Sequence, residues 1–201
     1  MIQEETEETN EPKKEGEHIE SPYHLEILGI FKKYVWDLFN PEGNGNCGYR
    51  CLAKALGYAD DAYLRLLGGE AAMNTIVAGI LVAKVTEPIP PEKWLNKMDH
   101  SQMIANTYSR PVVFLSIKSC SSFFPTRFGP NNSSSVWDPV YLLHVSGNHW
   151  VLADVQEVNG IKPIPPVVGS SRVAPQSTKE WKLKFKQHLT LYSQEVKRFK
   201  A

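Results

Sequence analysis

The stretch NPEGNGNCGYRCLA at residues 40–53 constrains this chain more than any other. Gly43 and Gly45 flank Asn44, and glycine tolerates backbone angles that residues with a Cβ avoid, so the loop can turn sharply and point its N–H groups inward. The pattern predicts a tight loop followed by a helix that begins near Cys47. The helical part is indicated by apolar residues at helical spacing, Leu52, Ala55 and Leu56.

A cysteine in this position can be reactive. A free thiol has a pKa of about 8.5, and the positive end of a helix together with a neighbouring imidazolium can lower that pKa enough to give thiolate near neutral pH. The N–H groups of the loop could also hold an oxyanion. Most cysteines are simply small buried apolar residues, but a cysteine in that role does not need the Gly-Asn-Gly-Asn loop that precedes this helix. The sequence therefore predicts Cys47 as a nucleophile, which needs a base from elsewhere in the chain.

A predicted β-hairpin supplies the candidate base. Val140–Val145 and His149–Val155 have the composition of two strands, joined by the three-residue turn Ser146-Gly147-Asn148. His149 stands at a strand end beside this turn, where a side chain can reach a cleft. The other histidines lack such a setting and are interpreted as surface or core residues: His18, His24, His100, His144 and His188.

The remaining patterns predict an α+β fold, with a small central sheet flanked by helices. A helix over Tyr23–Phe39 leads into the loop, although its last residues could form a short strand. A buried strand is expected at Pro111–Ile117 and a loop at Phe123–Trp137. Further helices are predicted at Asp60–Leu67, at Ala71–Val85, at Glu92–Met98, and from a cap at Asp99 or Ser101 to Tyr108.

The composition divides the chain into three parts. Residues 1–22 are polar and hold eight glutamates against two lysines up to Glu20, which predicts a disordered acidic tail. Residues 23–157 form the expected folded domain. Residues 158–201 are a Pro/Ser-rich linker and a basic amphipathic helix, which either packs back on the domain or presents a surface to a partner or to acidic phospholipid.

Charge and cysteine content exclude several classes of protein. The formal net charge is zero, so nothing suggests a nucleic-acid partner. Three cysteines without a CxxC pair argue against a disulfide framework and a structural zinc site. No apolar run reaches the roughly 18 residues that span a bilayer, and a glutamate-rich N-terminus is unlike a signal peptide. We expect a soluble monomer in the cytoplasm or nucleus, a reducing compartment.

The loop, the helix, the buried strand and the hairpin together resemble the ovarian-tumour (OTU) class of cysteine proteases. That family carries Asp-Gly-Asn-Cys in its loop, which aligns with residues 44–47, and a C-terminal His-aromatic pair, which aligns with His149-Trp150. The resemblance covers roughly residues 31–155. The string Gly-Asn-Cys-Gly-Tyr-Arg-Cys-Leu-Ala is also similar to OTU-type proteases of arteriviruses, and residues 116–155 resemble OTU-like proteins from fungal and transposon sources.

The resemblance implies a papain-like OTU fold and acyl-transfer chemistry. Cys47 would be the nucleophile and His149 its general base, taking the thiol proton and later protonating the departing amine. The backbone N–H groups of the loop, from Asn44, Gly45 and Asn46 to the cysteine, would form the oxyanion hole.

The third catalytic residue departs from the common family pattern. Many OTU proteases place Asp or Asn two positions after the histidine, where this chain has Val151, and Asp154 lies on the opposite face of the strand. In the arterivirus-type arrangement an asparagine seven residues before the cysteine orients the histidine, and Asn40 occupies that position. The resemblance thus implies Asn40 as the third member. The zinc-finger cysteines of the arterivirus enzymes are absent, and we expect no metal or other cofactor.

The expected substrate also follows from the resemblance: an isopeptide bond after the C-terminal glycine of ubiquitin or a ubiquitin-like protein. Trp150 would then form a wall of a narrow channel for the glycine tail. Two other interpretations stay open. One is a viral-type cysteine protease that processes its own polyprotein, and the other is a catalytically inactive ubiquitin-binding module, suggested by Asn44 in place of aspartate and by Val151.

Overall fold

The structure is a computed structural model of the 201-residue chain, and it describes residues 21–58, 90–130, 138–169 and 174–201. Three predicted segments lie outside these residues: the acidic tail at 1–20 and the helices at 60–67 and 71–85. Within the described ranges, no helix is long and apolar enough to cross a membrane.

The fold is α+β and is built on one mixed five-stranded sheet with the strand order β1-β5-β4-β2-β3. Strands β4 and β2 are parallel, and the other neighbouring pairs are antiparallel. The strands are β1 (Val35–Phe39), β2 (Val112–Leu115), β3 (Ser121–Phe123), β4 (Val140–Val145) and β5 (His149–Val155), and the α-helices are α1 (Cys47–Ala55), α2 (Lys97–Tyr108), α3 (Gln176–Lys184) and α4 (Lys186–Lys200).

The β4–β5 hairpin has the bounds that the sequence predicted. Val145 pairs with His149, so the turn between them is tight. Ser146 and Gly147 take the left-handed backbone conformation, with φ of 52° and 76°. β5 is then an inner strand, flanked by β4 on one side and by the edge strand β1 on the other, and its first residue stands at the strand end beside the turn.

The helix predicted over Tyr23–Phe39 is wrong. The chain forms two 3-10 turns, His24–Glu26 and Gly29–Phe31, and then β1, which is the short strand that the sequence left open. The turns direct Ile27, Ile30 and Phe31 of this segment into the core, whereas Leu25 is 84% exposed. Pairing of the last five residues with β5 replaces the hydrogen bonds of a helix.

Three other boundaries differ from the prediction. The Glu92–Met98 helix is only a 3-10 turn at Pro91–Lys93. Helix α2 begins at Lys97, because Asn96 caps it by accepting the N–H groups of Met98 at 2.8 Å and Asp99 at 3.3 Å. Strand β3 overlaps the segment that the sequence interpreted as a loop.

The hydrophobic core lies on both faces of the sheet. Alternate residues of β2 point to opposite faces, so that Val112 and Phe114 join one cluster and Val113 and Leu115 join the other. Helices α1 and α2 cover the first face. The 3-10 turns and the C-terminal segment cover the second, whose most buried members include Phe31, Ile164 and Trp181.

The segment predicted as a linker contributes to the second face. Ile164 is fully buried, and Ser122 of β3 forms a bridge with Val167. The predicted C-terminal helix is divided into α3 and α4, and Trp181 and Phe185 of this region pack into the core. The described residues beyond 157 are therefore part of the same packed unit as the sheet.

Candidate active site

Hydrogen bonds between side chains and backbone hold the glycine-rich loop in shape. Gly45 has φ of +91°, a conformation that favours glycine. The side-chain oxygen of Asn44 accepts the N–H of Asn46 at 3.2 Å, and its NH2 group donates to Glu42 at 3.2 Å. Arg50 of α1 reaches the same Glu42 oxygen at 3.5 Å. An aspartate at position 44 could accept the N–H but could not donate to Glu42, so asparagine suits this loop.

Cys47 is the first residue of α1, and close packing holds it beside β5. A Cβ added to Gly48 would lie 2.6 Å from Leu95 and 3.0 Å from the indole of Trp150, so glycine allows the helix to approach. The N–H of Trp150 donates to the Cys47 sulfur at 3.4 Å. The thiol is thus fixed between the helix start and the start of β5.

Asn40 and His149 meet because their strands are neighbours. Asn40 follows β1 and His149 begins β5, and these strands pair with Phe39 opposite Leu152. The side-chain oxygen of Asn40 lies 2.7 Å from Nε2 of His149. An amide oxygen only accepts, so Nε2 carries the proton and Nδ1 is the basic nitrogen of the neutral ring. A Cβ added to Gly43 would lie 3.8 Å from Nδ1, so this nitrogen is on the loop side of the ring.

A cleft of about 450 Å³ brings the three predicted catalytic residues together. Nε2 of His149 is bonded to Asn40 and the Cys47 sulfur accepts the Trp150 N–H, and no direct hydrogen bond joins these two described side chains. Hydrogen bonds between a nucleophile and its base often tighten only when substrate binds. The cleft is lined by Tyr23, Asn40, Pro41, Glu42, Gly43, Gly45, Cys47, Trp94, Ser146, Asn148 and His149.

Burial sets the charge state of the two reacting groups. It raises the pKa of the Cys47 thiol above its ordinary value, against the opposing effect of the backbone N–H groups of Trp150, Gly48 and Cys47. Burial also lowers the pKa of His149. Both shifts favour the neutral thiol and the neutral imidazole, which is opposite in direction to the lowered thiol pKa that the sequence suggested.

Two contacts that the sequence predicted for the site differ from those in the structure. The N–H of Asn46, one of the expected oxyanion donors, already donates to Asn44, whereas Gly45 lines the cleft. The indole of Trp150 lies in the core, where Nε1 donates to the Leu95 carbonyl at 3.1 Å. The aromatic wall of the cleft is instead formed by other residues, Trp94 and Tyr23.

No local pattern pointed to Tyr23 and Trp94, because both come from segments outside the loop and the hairpin. Ser146 and Asn148 were recognised only as turn residues, and their place beside His149 puts them in the lining. Among the residues that the structure describes, no cluster of three or more His, Cys, Asp or Glu could hold a metal ion.

No protein-family model matches the sequence, and no curated protein matches it significantly. The geometry of the cleft and the resemblance of its motifs are therefore the observations that bear on function.

Proposed function

We propose that this chain is a thiol-dependent hydrolase of the OTU type, with Cys47 as nucleophile, His149 as general base and Asn40 as the residue that orients the imidazole. The 2.7 Å contact between Asn40 and Nε2 of His149, in the cleft that also contains Cys47, carries this proposal. Such a contact fixes both the tautomer and the ring orientation, which a thiol–imidazole pair needs for catalysis.

The chemistry starts from neutral groups. Nδ1 of His149 takes the Cys47 proton as the sulfur attacks the carbonyl carbon of the substrate, and backbone N–H groups of the loop stabilise the resulting oxyanion. The intermediate collapses when the imidazolium protonates the departing amine. Water, deprotonated by His149, then hydrolyses the thioester and restores the thiol.

The proposed substrate is an isopeptide bond after the C-terminal glycine of ubiquitin or a ubiquitin-like modifier. The resemblance to OTU proteases supports this choice. The cleft adds support, because Gly43 and Gly45 line it without side chains and Tyr23 and Trp94 line it with aromatic rings.

The first experiment is intact-mass analysis after incubation with ubiquitin that carries a C-terminal electrophile. We expect an adduct with the native chain, an adduct with Cys51→Ala, and none with Cys47→Ala. Cys51 is a matched control because it lies one turn further along α1, is fully buried and donates to the Trp150 carbonyl at 3.5 Å. An adduct that survives in Cys47→Ala but is lost in Cys51→Ala would show that Cys51, and not Cys47, is the nucleophile.

A second variant tests the role of Asn40. Asn40→Ala should lower turnover of a diubiquitin or modifier-precursor substrate by roughly ten- to a thousandfold, because an unoriented imidazole is a poor base. Unchanged activity would exclude Asn40 from the catalytic group. If folded protein forms no adduct with ubiquitin or an interferon-induced modifier probe and cuts no linkage, the proposed substrate class is wrong.

A further inference from the structure

A carboxylate from a distant segment holds the turn that precedes His149. Oε2 of Glu26 accepts the backbone N–H of Ser146 at 2.7 Å, and Oε1 accepts the Ser146 hydroxyl at 3.2 Å. Ser146 has φ of 52°, which is unfavourable for a residue with a Cβ. Two hydrogen bonds to one charged group offset that cost and fix the turn.

The segment that carries Glu26 is itself anchored. Glu26 ends the 3-10 turn His24–Glu26, and the next residue, Ile27, is 2% exposed within the core. Tyr23 begins the same segment, and its ring lies 5.9 Å from the His149 ring, centroid to centroid. One short stretch of chain therefore touches both the imidazole and the turn that positions it.

We propose that Glu26 is a positioning residue for His149, acting through the Ser146–Asn148 turn. The proposal rests on the proposed function, since it assigns Glu26 to the alignment of the general base. Asn40 fixes the ring at Nε2, the Tyr23 ring lies tilted beside it, and Glu26 fixes the backbone three residues before it. Without the carboxylate, the turn loses both bonds to Glu26 and keeps the one from the Asn148 N–H to the Val145 carbonyl, at 3.3 Å, so the first residue of β5 is less firmly placed. A misplacement of about 1 Å at a catalytic group can cost on the order of a hundredfold in rate.

The test compares Glu26→Ala, Glu26→Gln and the control Glu157→Ala, an exposed glutamate beyond the far end of β5. We expect Glu26→Ala to lower kcat on a diubiquitin substrate by roughly ten- to a hundredfold, with KM changed by less than about threefold. Glu26→Gln keeps an acceptor for the Ser146 N–H and should recover much of the loss. The control should behave like the native chain.

Amide hydrogen exchange provides a readout that does not need activity. The Ser146 N–H should exchange more slowly in the native chain and in Glu157→Ala than in Glu26→Ala, and the Nε2–H proton signal of His149 should broaden in Glu26→Ala. Unchanged kcat, or a fall in kcat with unchanged exchange at Ser146, would overturn the proposal. If the native chain is inactive, the proposed function fails. The positioning role of Glu26 then stands only if Glu26→Ala changes both the Ser146 exchange rate and the His149 imidazole signal, and it is rejected otherwise.

Discussion

At Cys47, burial and the helix N-terminus act on the thiol in opposite directions. The three backbone N–H groups near the sulfur favour thiolate, but removal from water favours the neutral thiol and dominates. His149 experiences the same burial and becomes a weaker base. If both groups start neutral, the Cys47 proton moves to His149 while the sulfur attacks the substrate. The rate then depends on how the bound substrate is aligned.

The neutral pair predicts how alkylation of Cys47 depends on pH. Because the thiol pKa is raised, the thiolate fraction is small at neutral pH, and the rate of reaction with iodoacetamide should rise by about tenfold per pH unit from pH 6 to 8. The measurement uses a Cys51→Ala, Cys120→Ser chain, so that only Cys47 reacts. A rate that is constant between pH 5 and 8 would instead indicate a preformed thiolate–imidazolium pair.

Individual residues of the cleft differ in how far the sequence could predict them. Cys47 and His149 were found from local patterns, a glycine loop before a helix and a strand end after a turn. Asn40 was chosen only by resemblance, since its contact with His149 needs β1 to pair with β5. Trp150 was misplaced because helix α1, which packs over its indole through Gly48, depends on tertiary contacts that no local pattern shows.

Helix α4 is attached to the segment before β1 by one buried carboxylate. Glu195 is 7% exposed and accepts from Lys33 at 2.8 Å, from the Tyr34 hydroxyl at 3.3 Å and from Arg198 at 3.2 Å. The hydrogen bond from Lys33 and the nearby positive charges hold the pKa of Glu195 below its ordinary value. The charged form is thus the one that stabilises the folded chain.

Glu195→Gln should lower the free energy of unfolding by about 1–3 kcal/mol at pH 7, because a charged acceptor with a buried hydroxyl partner is lost. A carboxyl with a lowered folded pKa contributes stability above its unfolded pKa and loses it as the pH falls through the folded pKa. The difference between variant and native chain should therefore shrink at acid pH.

Urea unfolding at several pH values measures this difference, with Gln194→Ala, an exposed neighbour on the same helix, as control. A destabilisation by Glu195→Gln that persists unchanged at low pH would show that shape, rather than charge, is what Glu195 supplies.

The elements were predictable where the pattern was local. The β4–β5 hairpin has two short apolar segments joined by a Ser-Gly-Asn turn, and its bounds were found. The segment before β1 has helical spacing but forms two 3-10 turns, and its last five residues pair with β5. Phe199 of α4 also packs beside Gly29, where an added Cβ would lie 2.3 Å from the ring. That contact joins positions far apart in the sequence.

At the scale of the molecule, the sheet needs cover on both faces. The sequence placed the domain boundary at residue 157, since the proline and serine content that follows is typical of a linker. The structure buries Ile164, Trp181 and Phe185 against the same strands that support the cleft. Proline-rich composition indicates that helices and strands are interrupted, but it does not exclude burial, and here Pro163 and Pro165 are buried.

Trp181 shows how strongly the C-terminal segment is integrated with the sheet. Its side chain is fully buried, Nε1 donates to the Phe128 carbonyl at 2.8 Å, and the ring stacks on Phe185 with an interplanar angle of 6°. Removing such a side chain leaves a cavity between the helices and the second face of the sheet, together with an unpaired carbonyl.

Trp181→Ala should therefore cost roughly 3–5 kcal/mol of unfolding free energy, while Leu183→Ala on the same helix, where the leucine is 73% exposed, should cost less than about 0.5 kcal/mol. Denaturant unfolding monitored at the hairpin, through hydrogen exchange of β4 and β5 amides, decides whether the loss reaches the strand that carries His149. If Trp181→Ala lowers amide protection only in α3 and α4 and leaves the hairpin amides protected, the C-terminal segment unfolds independently of the sheet. If the whole sheet loses protection together, the cleft depends on all of the described chain.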